Sequence, residues 1–286
     1  MEHLLFLATL ICVWIILSVA ANLVVGYTGM MSMGHAGYLG VGAYTAAAAN
    51  IFLGVNYLLT IPLAAAVTAA VAVVTVIPLL RLGTFYFALA TLGLNFVLFD
   101  IFLNLGPRVE GTEGLFGIVL PAGLETTGAR FALTLLVTAA CVGIAWRLVT
   151  APLGRVLRSV RDREDALRAL GKNPRGYQIA IWGVSGALTG VAGALYAATL
   201  FYIDPTLFTL NTSILVLVYI GVGGLASIAG SILGPLLLIA FTESFRFLGV
   251  HSSLAGPIQQ GIYGLLLIGL MIFRRQGLIG KYDFRE

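Results

Sequence analysis

Residues 151–177 read APLGRVLRSVRDREDALRALGKNPRGY, and this is the one long polar stretch between segments apolar enough for a bilayer. Between Arg155 and Arg175 it carries seven of the chain's 16 Lys and Arg: Arg155, Arg158, Arg161, Arg163, Arg168, Lys172 and Arg175. Asp162, Glu164 and Asp165 lie among them. A hydrophilic stretch this short cannot bury a core of its own, but it can present a face to something outside the membrane. Ala166, Leu167, Ala169 and Leu170 favour helix, and Gly171 is a natural stop. The acidic residues suit the positive end of a helix dipole. Val160, Leu167 and Leu170 can then share one apolar face between arginines. Two readings stand: a solvated basic loop that only sets topology, or a helix that docks a partner.

Outward from this stretch the chain is written for lipid. Of its 286 residues 59% are hydrophobic and 10% charged, with a mean hydropathy of +1.01, far outside the soluble range. The expected fold class is all-α: a polytopic helical bundle of about eight to ten membrane spans, in one transmembrane domain covering residues 1–286. Cys12 and Cys141 fall inside apolar runs, with neither a disulfide framework nor a metal spacing. The net charge of +4 is a topological signal and implies no nucleic-acid partner. The first run has no positive flank and reads as a retained span rather than a removed leader.

Apolar runs are expected at about 4–25, 58–80, 85–105, 131–149, 178–201, 212–225, 228–247 and 257–273. The basic loop and the tail at 274–286 (Arg274, Arg275, Lys281, Arg285) hold 11 of the 16 Lys and Arg, which places both on the cytoplasmic side and requires an even number of spans between them. Arg81 falls inside by the same alternation. The connection at 106–128, with Glu110, Glu113 and Glu125 against Arg108, falls outside. The side of the N-terminus stays open.

Two stretches break the apolar pattern with glycine. GYTGMMSMGHAGYLGVGAYTAA at 26–47 holds Gly26, Gly29, Gly34, Gly37, Gly40 and Gly42, and GVGGLASIAGSILGP at 221–235 is broken again. Each contains Ser, then Gly, then small residues running into a helix (from Ser32 and from Ser227). Interrupted helices at matching places in two halves point to a substrate pathway, and helix starts offer unpaired N–H groups that could hold a carboxylate. The competing reading is a pair of tight turns where backbones touch. The candidate pathway residues are Gly34, His35, Ala36, Asn95, Gly223, Gly224 and Ser227. His35 is either a hydrogen-bonded structural residue or a gating contact. Asp100 either reaches the interface or lines a pathway. Glu243 and Arg246, three apart, read as a local ion pair. No nucleophile–base motif or metal spacing occurs, and no Walker A sequence, so the chain has no P-loop site for ATP.

Several stretches resemble one family in order and spacing. They are residues 22–47; RLGTFYFALATLGLN at 81–95; GTEGLFGI at 111–118; GRVLRSVRDREDALRALGKNPRGYQ at 154–178; SGALTGVAGALYA at 185–197; and 221–235. The resemblance is to the permease subunits of branched-chain amino acid (LIV-type) ABC importers, in particular the M-type member of the pair. It covers about residues 18–273. It implies a multi-pass protein of a bacterial or archaeal inner membrane. The partners it implies are a homologous permease, two cytoplasmic ATPases that carry the ATP and Mg, and a periplasmic or extracellular binding protein. Residues 164–171, from Glu164-Asp165-Ala166 to Gly171, are similar to the family's EAA loop, a coupling helix that docks on the ATPase. That carries a coupling role to Asp162, Glu164, Asp165, Ala166, Leu167, Leu170 and Gly171. Family members often carry Glu at the position of Asn95. Substrates shared across these motifs include branched-chain and related amino acids, urea, short amides and small organic acids. The alternatives from another class are a stand-alone channel or a secondary carrier, which would need its own coupling-ion site.

Overall fold

The computed structural model describes residues 2–105, 114–121, 123–124, 126–247, 261, 264 and 277–279. The expected run at 257–273, the charged residues of the 106–113 connection and Glu125, and the basic residues of the tail lie outside them. So do the side chains of Ala166 and Arg246.

Helices α1 (Glu2–Thr28), α2 (His35–Leu53), α3 (Tyr57–Leu79), α4 (Thr84–Leu103), α5 (Thr127–Thr150) and α8 (Pro174–Leu200) are each long and apolar enough to cross a bilayer. Between α5 and α8 lie two short helices, α6 (Pro152–Asp162) and α7 (Glu164–Ala169). After α8 come α9 (Leu210–Gly223) and α10 (Ile228–Phe247). At 14 residues α9 spans about 21 Å, short of the roughly 30 Å hydrocarbon core. It turns through 114° into α10, so the two runs expected as separate spans form one bent unit. Among the described residues this gives six spans, or seven with the bent pair.

α8 is the centre, packed against α3, α2 and α1. Its glycines make that possible. A Cβ on Gly186 would stand 2.6 Å from Ala72 Cβ, one on Gly190 2.5 Å from the Ala64 carbonyl oxygen, and one on Gly193 2.7 Å from Ala43 N. Lipid supplies no hydrophobic drive between helices, so close backbone approach and dispersion hold them together. α1, α2 and α8 have more than half of their spans buried, while α3, α4 and α5 have about a third or less. These three turn Val74, Phe85, Tyr86, Leu136 and Trp146 outward, as a surface toward lipid or another chain requires.

Two contacts orient α10 against α1. Asn22 meets Ser231 at one end, and His3 Nε2 lies 3.1 Å from Glu243 Oε1 at the other. The first end also carries α6, because Arg161 bonds Gly26. Hence the Glu2 end of α1 lies opposite the basic loop. The segment Gly277, Leu278 and Ile279 lies at the same end as α6: Leu278 and Ile279 N–H donate to the Val222 and Gly223 carbonyls at 3.0 Å each. At the opposite end Leu115–Phe116 (β1) pairs antiparallel with Tyr202–Ile203 (β2), a two-stranded tie with Phe116 stacked on Tyr202 at 4.4 Å. Asn50 completes this end. Its amide donates to the Val55 and Val119 carbonyls, and its oxygen accepts from Val119 N–H at 2.8 Å.

Candidate functional site: two broken segments and the basic end

The first break follows from Gly29, whose φ of +73° ends α1. The chain then runs to α2 beside α4, with Met33 N–H donating to Thr91 Oγ1 at 3.1 Å and Gly34 N–H to Ser32 Oγ at 3.3 Å. The helix start is not a free anion cradle. Ala36 N–H donates to Ser213 Oγ at 3.0 Å, and Gly37 N–H to Asn95 Oδ1 at 2.7 Å. Two of the N–H groups expected to be open for a carboxylate are therefore held by the chain's own side chains. The reason is the register of α4 and α9, which sequence spacing does not reveal.

Among the described residues, three polar atoms around this start find no partner. Asn95 is fully buried and turns its oxygen to Gly37, leaving Nδ2 without a partner. His35 is 2% exposed; its Nε2 lies 3.4 Å from Ser185 Oγ, and Ser185 in turn donates to the Ala20 carbonyl at 2.8 Å. That leaves His35 Nδ1 without a partner. The imidazole stacks on Trp182 at 5.8 Å, and the Trp182 indole N–H also has none. A buried unpaired polar group costs about 1–3 kcal/mol. Two donors and a ring nitrogen around one glycine-rich helix start can serve a small polar guest. Asp100, in contrast, is exposed on the last turn of α4, away from this cluster.

The second break is built on α9. Gly223 ends the helix, Gly224 has φ +125° and Ala226 φ +56°. The backbones touch: a Cβ on Gly230 would lie 2.6 Å from the Gly223 carbonyl oxygen. Ser227 Oγ accepts from Gly230 N–H at 3.2 Å, the N-cap geometry for α10. One side chain pins the whole turn. Asn22 Nδ2 reaches the Gly224 carbonyl (3.3 Å), the Ser227 carbonyl (3.0 Å) and Ser231 Oγ (2.6 Å), while its Oδ1 accepts from Ala226 N–H at 3.0 Å. Sequence reasoning missed Asn22, although an amide inside the apolar run 4–25 is a signal in itself. It missed Ser213, Ser185 and Trp182 as well. The two broken segments are joined through α9, which meets α2 at Ser213 and forms the second turn at its far end.

At the basic end the single helix expected over 159–171 is two, broken at Arg163 (φ −154°, ψ 83°). Glu164 and Asp165 open a fresh first turn in α7, where the helix dipole favours them. Val160 and Leu167 are buried as expected, but Leu170 is 75% exposed. α7 ends at Ala169, so Leu170 falls in the turn that follows and off the shared face. Leu170 instead lines an open groove of about 460 Å³ with Arg155, Val156, Lys172 and Tyr177. Gly171 does stop the segment: at φ +72° its N–H donates to the Arg168 carbonyl at 2.9 Å, and Lys172 N–H reaches the Leu167 carbonyl at 3.3 Å. Arg168 pairs with Glu164 at 2.6 Å and Arg161 with Asp162 at 2.9 Å, while Asp165 is exposed. Ala166 lies in α7. The segment is not loose, because Arg161 Nη1 donates to the Gly26 carbonyl at 2.8 Å and the Arg158 guanidinium lies 5.7 Å from the Tyr27 ring. Among the described residues no group of His, Cys, Asp and Glu could hold a metal ion.

This geometry has known relatives in sequence. The family model described as branched-chain amino acid transport system / permease component matches residues 3–273. The high-affinity branched-chain amino acid transport system permease protein LivM of Escherichia coli (strain K12) is 31% identical over 300 residues, covering 96% of this chain and 69% of the relative. LivM of Salmonella typhimurium (strain LT2) is 30% identical with the same shares covered. No solved structure matches the chain. A buried helical core, two glycine-broken segments and a match over nearly the whole length lead to one assignment: the chain belongs to the family of branched-chain amino acid transport system permease components.

Proposed function

We propose that this chain is the transmembrane subunit of an ATP-driven ABC importer, moving branched-chain or related small amino acids across an inner membrane by alternating access. One observation carries the reading. A short helix pair rich in exposed arginine, α6–α7, stands at one end of an apolar bundle and is bonded directly to the α1 end that opens into the first glycine break. Leu157 and Val160 seat the pair on the bundle while Arg155, Arg158, Arg163 and Arg168 stay exposed, and this geometry suits a docking surface with a mechanical link inward.

On this reading residues 1–286 form one permease domain, and 151–177 is its cytoplasmic loop. Asp162, Glu164, Asp165, Ala166, Leu167, Leu170 and Gly171 meet a cytoplasmic ATPase. ATP and Mg belong to two such ATPase partners, a homologous permease completes the pore, and a binding protein delivers substrate to the far end. The clustered arginines put the basic end in the cytoplasm with the tail at 274–286, and the Glu2 end outside. Gly34, His35, Ala36, Asn95, Gly223, Gly224 and Ser227 flank the substrate pathway. Within it Asn95 Nδ2, Trp182 Nε1 and His35 Nδ1 offer neutral polar contacts suited to a zwitterion's carboxylate and ammonium groups. Alternating access requires that substrate or nucleotide favour one state over the other.

The test is purification of the tagged chain from its native membrane. Recovery of a second permease and two ATPases, with ATP hydrolysis raised by a binding protein loaded with leucine, isoleucine or valine, is expected. Recovery of the chain alone, with uptake driven by an ion gradient, would overturn the proposal in favour of a secondary carrier.

A further inference from the structure

The last two turns of α1 are gripped from two sides. On one side is α6: Arg161 donates to the Gly26 carbonyl at 2.8 Å, and a Cβ on Gly29 would stand 2.7 Å from Arg161 Cγ. On the other side is the α9–α10 turn. Asn22 takes its four contacts there, and a Cβ on Gly26 would stand 2.5 Å from Ala226 N. Asn22 and Gly26 are one helical turn apart on the same face. Gly29 then leads by covalent connection into the first break. The same short piece of helix therefore touches the docking helix, the second broken segment and the start of the first.

A hydrogen-bonded helix displaces as a unit, whereas the segments on either side of it are turns with glycine at positive φ. Movement of α6 cannot shift Gly26 without shifting Asn22, and Asn22 holds the 224–231 turn by both atoms of its amide. The far face of that turn is closed by Leu278 and Ile279, which cap the last α9 carbonyls, so the turn is held on both sides.

The geometry points to Asn22 and Arg161 as positioning residues of a relay, in which displacement of α6 passes through the end of α1 to the α9–α10 turn. This rests on the reading of the chain as an ATP-driven permease. It assigns coupling to residues outside the α7 docking segment, and it gives both broken segments one common input.

The experiment uses the complete transporter in proteoliposomes, with ATP hydrolysis and leucine uptake measured in the same vesicles. The variants are Arg161→Ala, Asn22→Ala, the double variant, and Ser231→Ala, which removes a single acceptor of Asn22. Each single variant at Arg161 or Asn22 is expected to assemble and hydrolyse ATP while uptake per ATP falls about tenfold, within the usual span of coupling between sites. The double variant is expected to be no worse than the poorer single, because both interrupt one path. Should Asn22→Ala fail to assemble, Ser231→Ala is expected to lower uptake per ATP in its place. Wild-type vesicles that couple, beside variants that assemble and couple equally well or lose coupling multiplicatively in the double, would overturn the relay alone. Wild-type vesicles with no ATP-driven uptake would sink the importer reading and the relay with it.

Discussion

The carboxamide oxygen of Asn95 on α4 lies 2.7 Å from the backbone nitrogen of Gly37 in the first turn of α2, and 3.5 Å from Ser213 Oγ on α9. This one atom fastens the first broken segment to two other helices. Because a backbone N–H must face the oxygen, the amide orientation is fixed and Nδ2 is left pointing away from both.

Asn95→Leu should therefore leave the buried Gly37 N–H unpaired, take an acceptor from the Ser213 O–H, and destabilise the bundle by about 1–3 kcal/mol. Asn95→Asp keeps an acceptor for Gly37 and should retain the α2 position. Thermal unfolding of the purified protein in detergent checks this. Equal melting of wild type and Asn95→Leu would contradict the assigned contact.

Gly190 in α8 faces Ala64 of α3 so closely that a Cβ would meet its carbonyl at 2.5 Å, a backbone atom that cannot turn aside. Gly190→Val should cost more than the about 1–3 kcal/mol usual for overpacking and abolish monodisperse protein. Gly143→Ala, on α5 with nothing within 4 Å, should express and melt like wild type. Size-exclusion profiles of the two variants compare them directly, and the opposite ranking would refute the packing.

Gly171→Pro and Glu164→Lys separate docking from folding. Gly171 has φ +72° and donates its N–H, both of which proline forbids, yet a Cβ there would meet nothing within 4 Å among the described residues. The Glu164–Arg168 pair is exposed and contributes at most about 1 kcal/mol. Both variants should reach the membrane at wild-type level and abolish uptake. Normal uptake in both would remove the coupling role from α7.

Asn50 holds the connection before α5 by two hydrogen bonds to Val119, with a third to Val55 in the turn between α2 and α3. Asn50→Ala should free that segment without disturbing the α8 core. Limited proteolysis of intact, correctly oriented vesicles should cut near residue 119 several times faster in the variant than in wild type. Unchanged cleavage would mean that β1 pairing alone holds the segment.

The helices were legible because lipid writes a simple code: apolar runs near 4–25, 58–80, 85–105, 131–149 and 178–201 each match a helix within a few residues. Gly171 as a stop was equally legible, since only its backbone conformation matters. What stayed hidden depends on which helix faces which. The α9–α10 bend could not be seen because 212–225 has the composition of a span but not the length. Leu170 shares a face with Leu167 only if the helix continues past Ala169, and it does not. The N–H groups of Ala36 and Gly37 looked free because their partners, Ser213 and Asn95, lie 177 and 58 residues away. Asn22 opens the 22–47 stretch, and its meaning comes from the turn more than 200 residues later that it holds.

The central claim is tested most directly by reconstituting the chain with its partner permease and ATPases and following radiolabelled leucine into vesicles. Uptake that requires ATP, loaded binding protein at the Glu2 end, and an intact α7 is the expected result. Uptake indifferent to ATP and driven by an imposed ion gradient would contradict it.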